Sequence, residues 1–263
     1  MSATSTVQPV AEAAREGSIH VALAAEKLGT FAGIPITNTL LMSWIVMVIL
    51  ISLAWIVGRN PRLIPGRVQI LLEEVITFIQ NFVSETLENE TVAKKYLPLL
   101  ITLFLFIATA NLLEFTPGIG SLGFFEANGE FVPLLRSMNT DLNVTLALTM
   151  IVFITIEFAG VMALGFFKYI GKFLNFSSPM NFVVGLIEFI SELSRLVSFS
   201  FRLFGNIFAG EILIAVATFF LPYVLPVPLM GFEMFIGFVQ AAVFSLLTLF
   251  FIKLAITDPH EAH

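Results

Sequence analysis

Residues 179–221 read PMNFVVGLIEFISELSRLVSFSFRLFGNIFAGEILIAVATFFL, and the fold turns on them. No proline falls between Pro179 and Pro222, so the whole stretch is compatible with a single helix. At 1.5 Å per residue such a helix is roughly 60 Å long, about twice the ~30 Å hydrocarbon core of a bilayer. It must break, protrude, or lie at a steep tilt. It also carries Glu188, Glu192, Arg195, Arg202, Asn206 and Glu211. A helix this polar cannot face lipid over its whole length.

Four further segments have the length and polarity of membrane spans. Residues 39–57 (TLLMSWIVMVILISLAWIV) contain no charge, and 96–115 (YLPLLITLFLFIATANLLEF) contain one acid near the end. Pro98 is expected in the first turn of that helix, where its missing N–H costs nothing. Glu157 is the sole charge from 142 to 167, and 229–256 holds Glu233 and a terminal Lys253. Composition agrees: 57% of the 263 residues are hydrophobic and 12% charged, with a mean hydropathy of +0.95. Soluble domains carry roughly twice that charge.

Residues 68–87 predict a different helix. Val68, Leu71, Leu72, Val75, Ile76, Ile79, Phe82 and Val83 follow the spacing of one apolar face, while Gln69, Glu73, Thr77, Gln80, Asn81 and Ser84 fall mostly opposite. This suits a helix lying on the membrane surface or against a partner. The expected architecture is all-α, with five crossings, one amphipathic surface helix, and the last two crossings long. Residues 1–36 form an N-terminal arm without the continuous apolar core of a signal peptide, and 37–263 form the membrane domain.

Lysines and arginines set the orientation. With five crossings, Arg59, Arg62, Arg67, Lys94, Lys95, Lys168, Lys172 and Lys253 fall on one side. Arg15, Lys27 and Arg136 fall on the other, which puts the N-terminal arm outside and the C-terminus in the cytoplasm. The net charge of −6 and the lack of basic runs argue against nucleic acid. There is no cysteine, and histidine occurs only at 20, 260 and 263. No metal centre or cofactor is expected within the membrane.

Arg202 is the central chemical residue. Placing arginine at mid-membrane costs at least about 2.5–3.5 kcal/mol, and its guanidinium stays charged. One reading is a structural salt bridge, to Glu188, Glu192 or an acid on a neighbouring helix. The other is an ion path. Steps of three and four put Glu188, Glu192, Arg195, Phe199, Arg202, Asn206 and Gly210 on one stripe, and Gly205, Ala209 and Gly210 thin the helix for a close neighbour. In the last span Glu233 and Gln240 share a face. Glu211 and Glu233 are expected to meet, sharing protons as a relay requires; alternatively each meets water on its own.

The string SFSFRLFGNIFAGEILI at 198–214 closely resembles the signature of the ion-channel subunit, subunit a, of rotary F-type ATP synthases. A horizontal helix at 68–91, NLLEFTPG at 111–118, DLNVTLAL at 141–148 and FVQAAVFSLLTLFFIKLA at 238–255 occur in the same order as in that family. The resemblance runs from about residue 37 to the end. It implies that Arg202 faces the carboxylate of each passing subunit of a c ring and separates two offset aqueous half-channels. It implies that Asn206, Glu211, Glu233 and Gln240 line the outer half-channel, with Glu233 at a position that is histidine in some relatives. Glu188, and Ser198 one turn before the arginine, belong by the same likeness to the inner half-channel. Asp141 and Asn143 match a motif read as outer-side support, and Glu192 and Arg195 are supporting candidates on the stripe. Glu114 departs from the pattern, since relatives carry a small or apolar residue there. Glu157 has no family role and is expected either to pair with Arg195 or to line an access path.

The implied partners are the c ring, b-type peripheral stalk subunits, the F1 sector indirectly, and lipid. The implied site of action is a bacterial plasma membrane, with an organelle membrane as the alternative. No phosphate-binding loop is present, so the chain itself does not make or hydrolyse ATP. Two other classes compete: a secondary transporter, for which no internal repeat is visible, and a non-transporting anchor whose charges only bind partner helices. Within the family, a sodium-translocating version is the alternative to proton, because the c subunit largely decides the ion.

Overall fold

The computed structural model describes residues 25–31, 33–59, 66–116, 119, 122–125, 131–173, 179–222 and 224–257. Residues 1–24 of the expected arm, with His20, and Arg62, His260 and His263 lie outside them. The chain forms an all-α membrane protein with five helices long and apolar enough to cross a bilayer. These are α1 (Asn38–Arg59), α3 (Glu90–Glu114), α4 (Leu142–Leu164), α6 (Pro179–Phe220) and α7 (Pro226–Ile256). Between them lie α2 (Arg67–Leu87) and the short α5 (Phe166–Phe173).

Local sequence sets the boundaries. Asn89 accepts from the backbone N–H of Thr91 and Val92, capping α3. Asp141 does the same for α4 through the N–H of Asn143. Gly165, at φ 85°, ends α4 in a backbone region that side chains with a Cβ avoid. The 42-residue α6 opens on Pro179 and runs without a break, so of the three outcomes open to residues 179–221 the helix takes protrusion or tilt.

Three expectations need correction. The third helix begins at Glu90, not near 96, so Pro98 lies in its interior and the N–H that would bond residue 94 is missing. The amphipathic helix ends at Leu87, where its periodicity ends, and not at 91 as the resemblance implied, because Glu88 turns left-handed, at φ 53°, before Asn89 caps the next helix. Two small antiparallel ribbons also appear, β1–β2 (Lys27–Phe31, Ile34–Thr37) and β3–β4 (Gly123–Phe125, Phe131–Pro133), where no strand was expected. Asn38 joins them: its side-chain amide donates to the Glu26 carboxylate at 3.2 Å and to the Pro133 carbonyl at 3.3 Å.

The core sits where α3, α4, α6 and α7 meet, around Leu100, Leu103, Ile107, Val152, Ile156, Phe199, Leu203, Phe244 and Leu249. Part of the apolar face of α2 joins it, with Leu72 and Val83 buried while Leu71 and Phe78 stay exposed. The first span α1 is the most peripheral, exposing Trp44, Val48, Ile51, Trp55 and Ile56. Lys253 at the end of α7 meets Glu88 at 2.9 Å. That contact places the C-terminal end of α7 beside the α2–α3 turn, at one end of the bundle.

Candidate functional site

The stripe on α6 does not act as one surface. Positions stepping by three and four drift by tens of degrees around a 3.6-residue helix, and that drift divides it. Glu192, Phe199 and Gly210 turn into the bundle, while Ser198, Arg202 and Asn206 lie on the open side. Arg202 is exposed, donates from Nη2 to the Ser198 hydroxyl at 3.4 Å, and makes no ion pair with any described residue. The structural salt bridge to Glu188 or Glu192 is absent because, along one unbroken helix, the two acids lie about 15 Å or more from Arg202, and Lys172 and Arg195 hold them there.

One polar cluster gathers around the short loop before α4. Asn206 donates its amide to Gln240 Oε1 at 2.7 Å, joining α6 to α7. One turn further, Gly210 leaves room for the Glu233 carboxylate; any Cβ at 210 would overlap it. Glu233 is 4% exposed, and its Oε1 has no partner. Glu211 pairs with Arg136 at 3.4 Å rather than facing Glu233 alone. Glu114 is held at 2.7 Å by the Ser137 hydroxyl and feels the charges of Glu211, Glu233 and Arg136. Two buried amides complete the group: Asn139 donates to Asn111 at 2.6 Å, and Asn111 to the Gly237 carbonyl at 2.8 Å. Asp141 and Asn143 stand apart from this path. Asp141 accepts from Thr39 at 2.9 Å and from Asn143, tying α1 to the start of α4.

The other cluster lies towards α5. Lys172 reaches Glu188 at 2.6 Å and Glu192 at 3.5 Å, and Arg195 holds the other Glu192 oxygen at 2.8 Å. The Arg195 guanidinium also lies 4.2 Å above the Phe251 ring. Glu157 does not pair with Arg195; it accepts the Tyr169 hydroxyl at 2.9 Å. Gly160 makes that possible, since a Cβ there would enter the Tyr169 ring. Burial pushes the Tyr169 hydroxyl above the usual phenol range, and the neighbouring Glu157 charge adds to the shift.

The arrangement can therefore do two things. The first cluster offers carboxylates and amides, which pass protons or coordinate small cations. The second locks acids to bases across α5 and α6, with the Tyr169–Glu157 hydrogen bond tying in α4. Sequence reasoning missed Asn111, Arg136, Ser137, Asn139 and Tyr169, and left Glu114 unassigned. The signal for Glu114 was present in NLLEF, where Asn111 and Glu114 are three apart on one helical face.

With that geometry in place, the comparisons decide the family. The ATP synthase A chain model matches residues 40–253. The chain belongs to the ATP synthase A chain family. Among relatives, the protein called ATP synthase subunit a in Moorella thermoacetica is 33% identical over 219 residues, covering 83% of this chain and 90% of that one. Its namesake in Desulforamulus reducens is 35% identical over 225 residues, with 82% and 78% covered. That of Campylobacter jejuni is 33% identical over 222 residues, with 83% and 89% covered. The match to the A chain family spans both polar clusters and all five long helices, except for the ends of the first and last.

Proposed function

We propose that this chain is the proton-conducting member of an Fo sector, coupling proton flow to rotation of a c ring through two half-channels that meet at Arg202. The observation that carries this is the state of Arg202. It is a permanent cation in an apolar helix, on an exposed face, with no counter-charge among the described residues. A charge so placed is costly in lipid unless a partner supplies an acid. The carboxylate of a rotating c subunit meets that need. Once ionised it can cross the arginine gap, whereas only the neutral form can turn into lipid cheaply. Each step must then load one proton from one side and release one to the other.

Asn206, Glu211, Glu233 and Gln240 serve the outer half-channel, and Glu114 joins them through its coupling to Glu211 and Glu233. Glu188 and Ser198 serve the inner one, with Glu192 and Arg195 positioning Glu188's neighbours. Asp141 and Asn143 support the outer side as a cap. The N-terminal arm lies outside and the C-terminus in the cytoplasm of a bacterial plasma membrane. The c ring covers the Arg202 face, b-type stalk subunits bind the periphery, and F1 is reached through them.

The test is ATP-driven proton pumping in membrane vesicles carrying Arg202→Gln, with assembly of the complex checked alongside. Loss of pumping in a fully assembled complex is expected. Intact pumping would remove the central claim.

A further inference from the structure

The two polar clusters lie at different heights along one antiparallel helix pair, and the contacts between them form a ladder. Asn206 meets Gln240 at 2.7 Å. Next, the Phe199 ring packs edge-to-face on Phe244, with centroids 5.2 Å apart, and lies 5.4 Å from Phe251. Last, Arg195 sits over Phe251 at 4.2 Å. Amide, aromatic rings and cation thus follow one another from α6 to α7. From Arg195 to Asn206 the helix rises roughly 16 Å.

This middle rung is buried and apolar. Phe199 is 4% exposed and Phe244 1%, and Leu203, Leu249 and Ile252 close around them. A crevice of about 10 Å³ is lined by Thr149, Val152, Ile156, Arg195 and Phe199 among others. It has room for about one water. Of the nearby hydroxyls, Thr145 and Ser200 meet each other at 3.3 Å, Thr149 and Thr248 bond carbonyls of their own helices, and the buried Ser245 hydroxyl has no partner among the described residues.

We propose that Phe199, wedged between Phe244 and Phe251, is an internal septum that keeps the direct path from Gln240 to Arg195 closed to water and protons. Passage is then confined to the exposed face of α6, where Arg202 stands. The inference rests on the two-half-channel reading and adds what that reading requires, a barrier inside the chain as well as one at its surface. Apolar constrictions stop ions by excluding water, and a bare charge in such a site is prohibitively costly.

The test uses the complete complex in proteoliposomes with the c ring cross-linked to this chain, so that an imposed pH gradient cannot turn the rotor, and follows passive proton entry down that gradient with a trapped pH dye. Phe199→Ala and Phe244→Ala are each expected to raise that leak roughly tenfold, equivalent to about 1.4 kcal/mol off the barrier. Phe199→Leu, which keeps most of the volume, should raise it less and carries the test if an alanine variant fails to assemble. Adding Arg202→Gln to a leaking variant should leave the leak in place, because the path does not cross Arg202. A wild-type leak in assembled variants, or a leak that Arg202→Gln abolishes, would overturn the septum. Intact pumping in Arg202→Gln alone would instead remove the half-channel reading, and the leak assay would still judge Phe199.

Discussion

The two polar clusters hold the same number of carboxylates but treat them in opposite ways. Around Gly210 and Gly237, Glu114, Glu211 and Glu233 share the company of Arg136, and the other partners are amides and a hydroxyl. Around α5, Lys172 meets both Glu188 and Glu192, Arg195 meets Glu192 as well, and Glu157 takes the Tyr169 hydroxyl. Charge balance explains the difference in chemistry. Several acids near one base cannot all be ionised cheaply away from water, so such a group takes up and hands on protons. Acids matched to bases are held in place, and breaking one link leaves another charge exposed to a low-dielectric interior. On the proposed function the first cluster exchanges protons, and the second holds Glu192 and Arg195 in place beside Glu188.

The largest effect expected from this contrast comes from Glu233→Leu. The side chain is buried against Gly210, so leucine should be tolerated and assembly kept. ATP-driven pumping should nevertheless fall by about 100-fold or more, the scale for losing a positioned proton carrier. Pumping at the ordinary rate would show that the exchange cluster does not need its buried acid. Next comes Lys172→Met on the holding side, which removes the partner of both Glu188 and Glu192. A loss of about 2 kcal/mol is expected, between the value for exposed pairs and that for a buried pair broken on one side. Thermal unfolding of the detergent-solubilised complex would register it, and an unchanged midpoint would mean the network is ornamental. Tyr169→Phe should cost less, about 1 kcal/mol, because one hydrogen bond to Glu157 is lost while the ring stays on Gly160.

How far the sequence reveals these clusters depends on where the information lies. Spans follow from uncharged runs, and the length of α6 follows from the gap between Pro179 and Pro222. Arg202 stands out because its guanidinium cannot shed its charge and falls within a membrane span. Periodicity, however, describes one helix at a time. It could place Arg195 and Arg202 on a stripe but could not say that the first turns toward Glu192 and Phe251 and the second away from every acid. Arg136 counted only as a positive residue in a loop, yet it reaches Glu211 seventy-five residues on. Asn111 bonds Gly237 across an even longer separation. Such contacts depend on how helices pack, which no local pattern encodes. The two ribbons escaped for a related reason: their strands are three to five residues long and held by pairing, not by propensity.

The smallest expected effect tests whether pairing outside the membrane resembles the holding cluster at all. Glu88 and Lys253 meet at 2.9 Å at the exposed corner where α7 ends. The hydrogen bond and positive charge of Lys253 hold the Glu88 carboxyl below its ordinary value of 4.5. A carboxyl lowered on folding adds stability in full above its unfolded value and loses it as pH falls through the folded one. Glu88→Gln should therefore lower the melting temperature of the complex slightly at neutral pH. That difference should close as the medium is acidified below the ordinary carboxylate range. Water and salt screen this pair, so the gap should also shrink in high salt, whereas the Lys172→Met loss should persist there. A Glu88→Gln gap that survives both acid and salt would mean that packing at the corner, rather than charge, joins α7 to the α2–α3 turn.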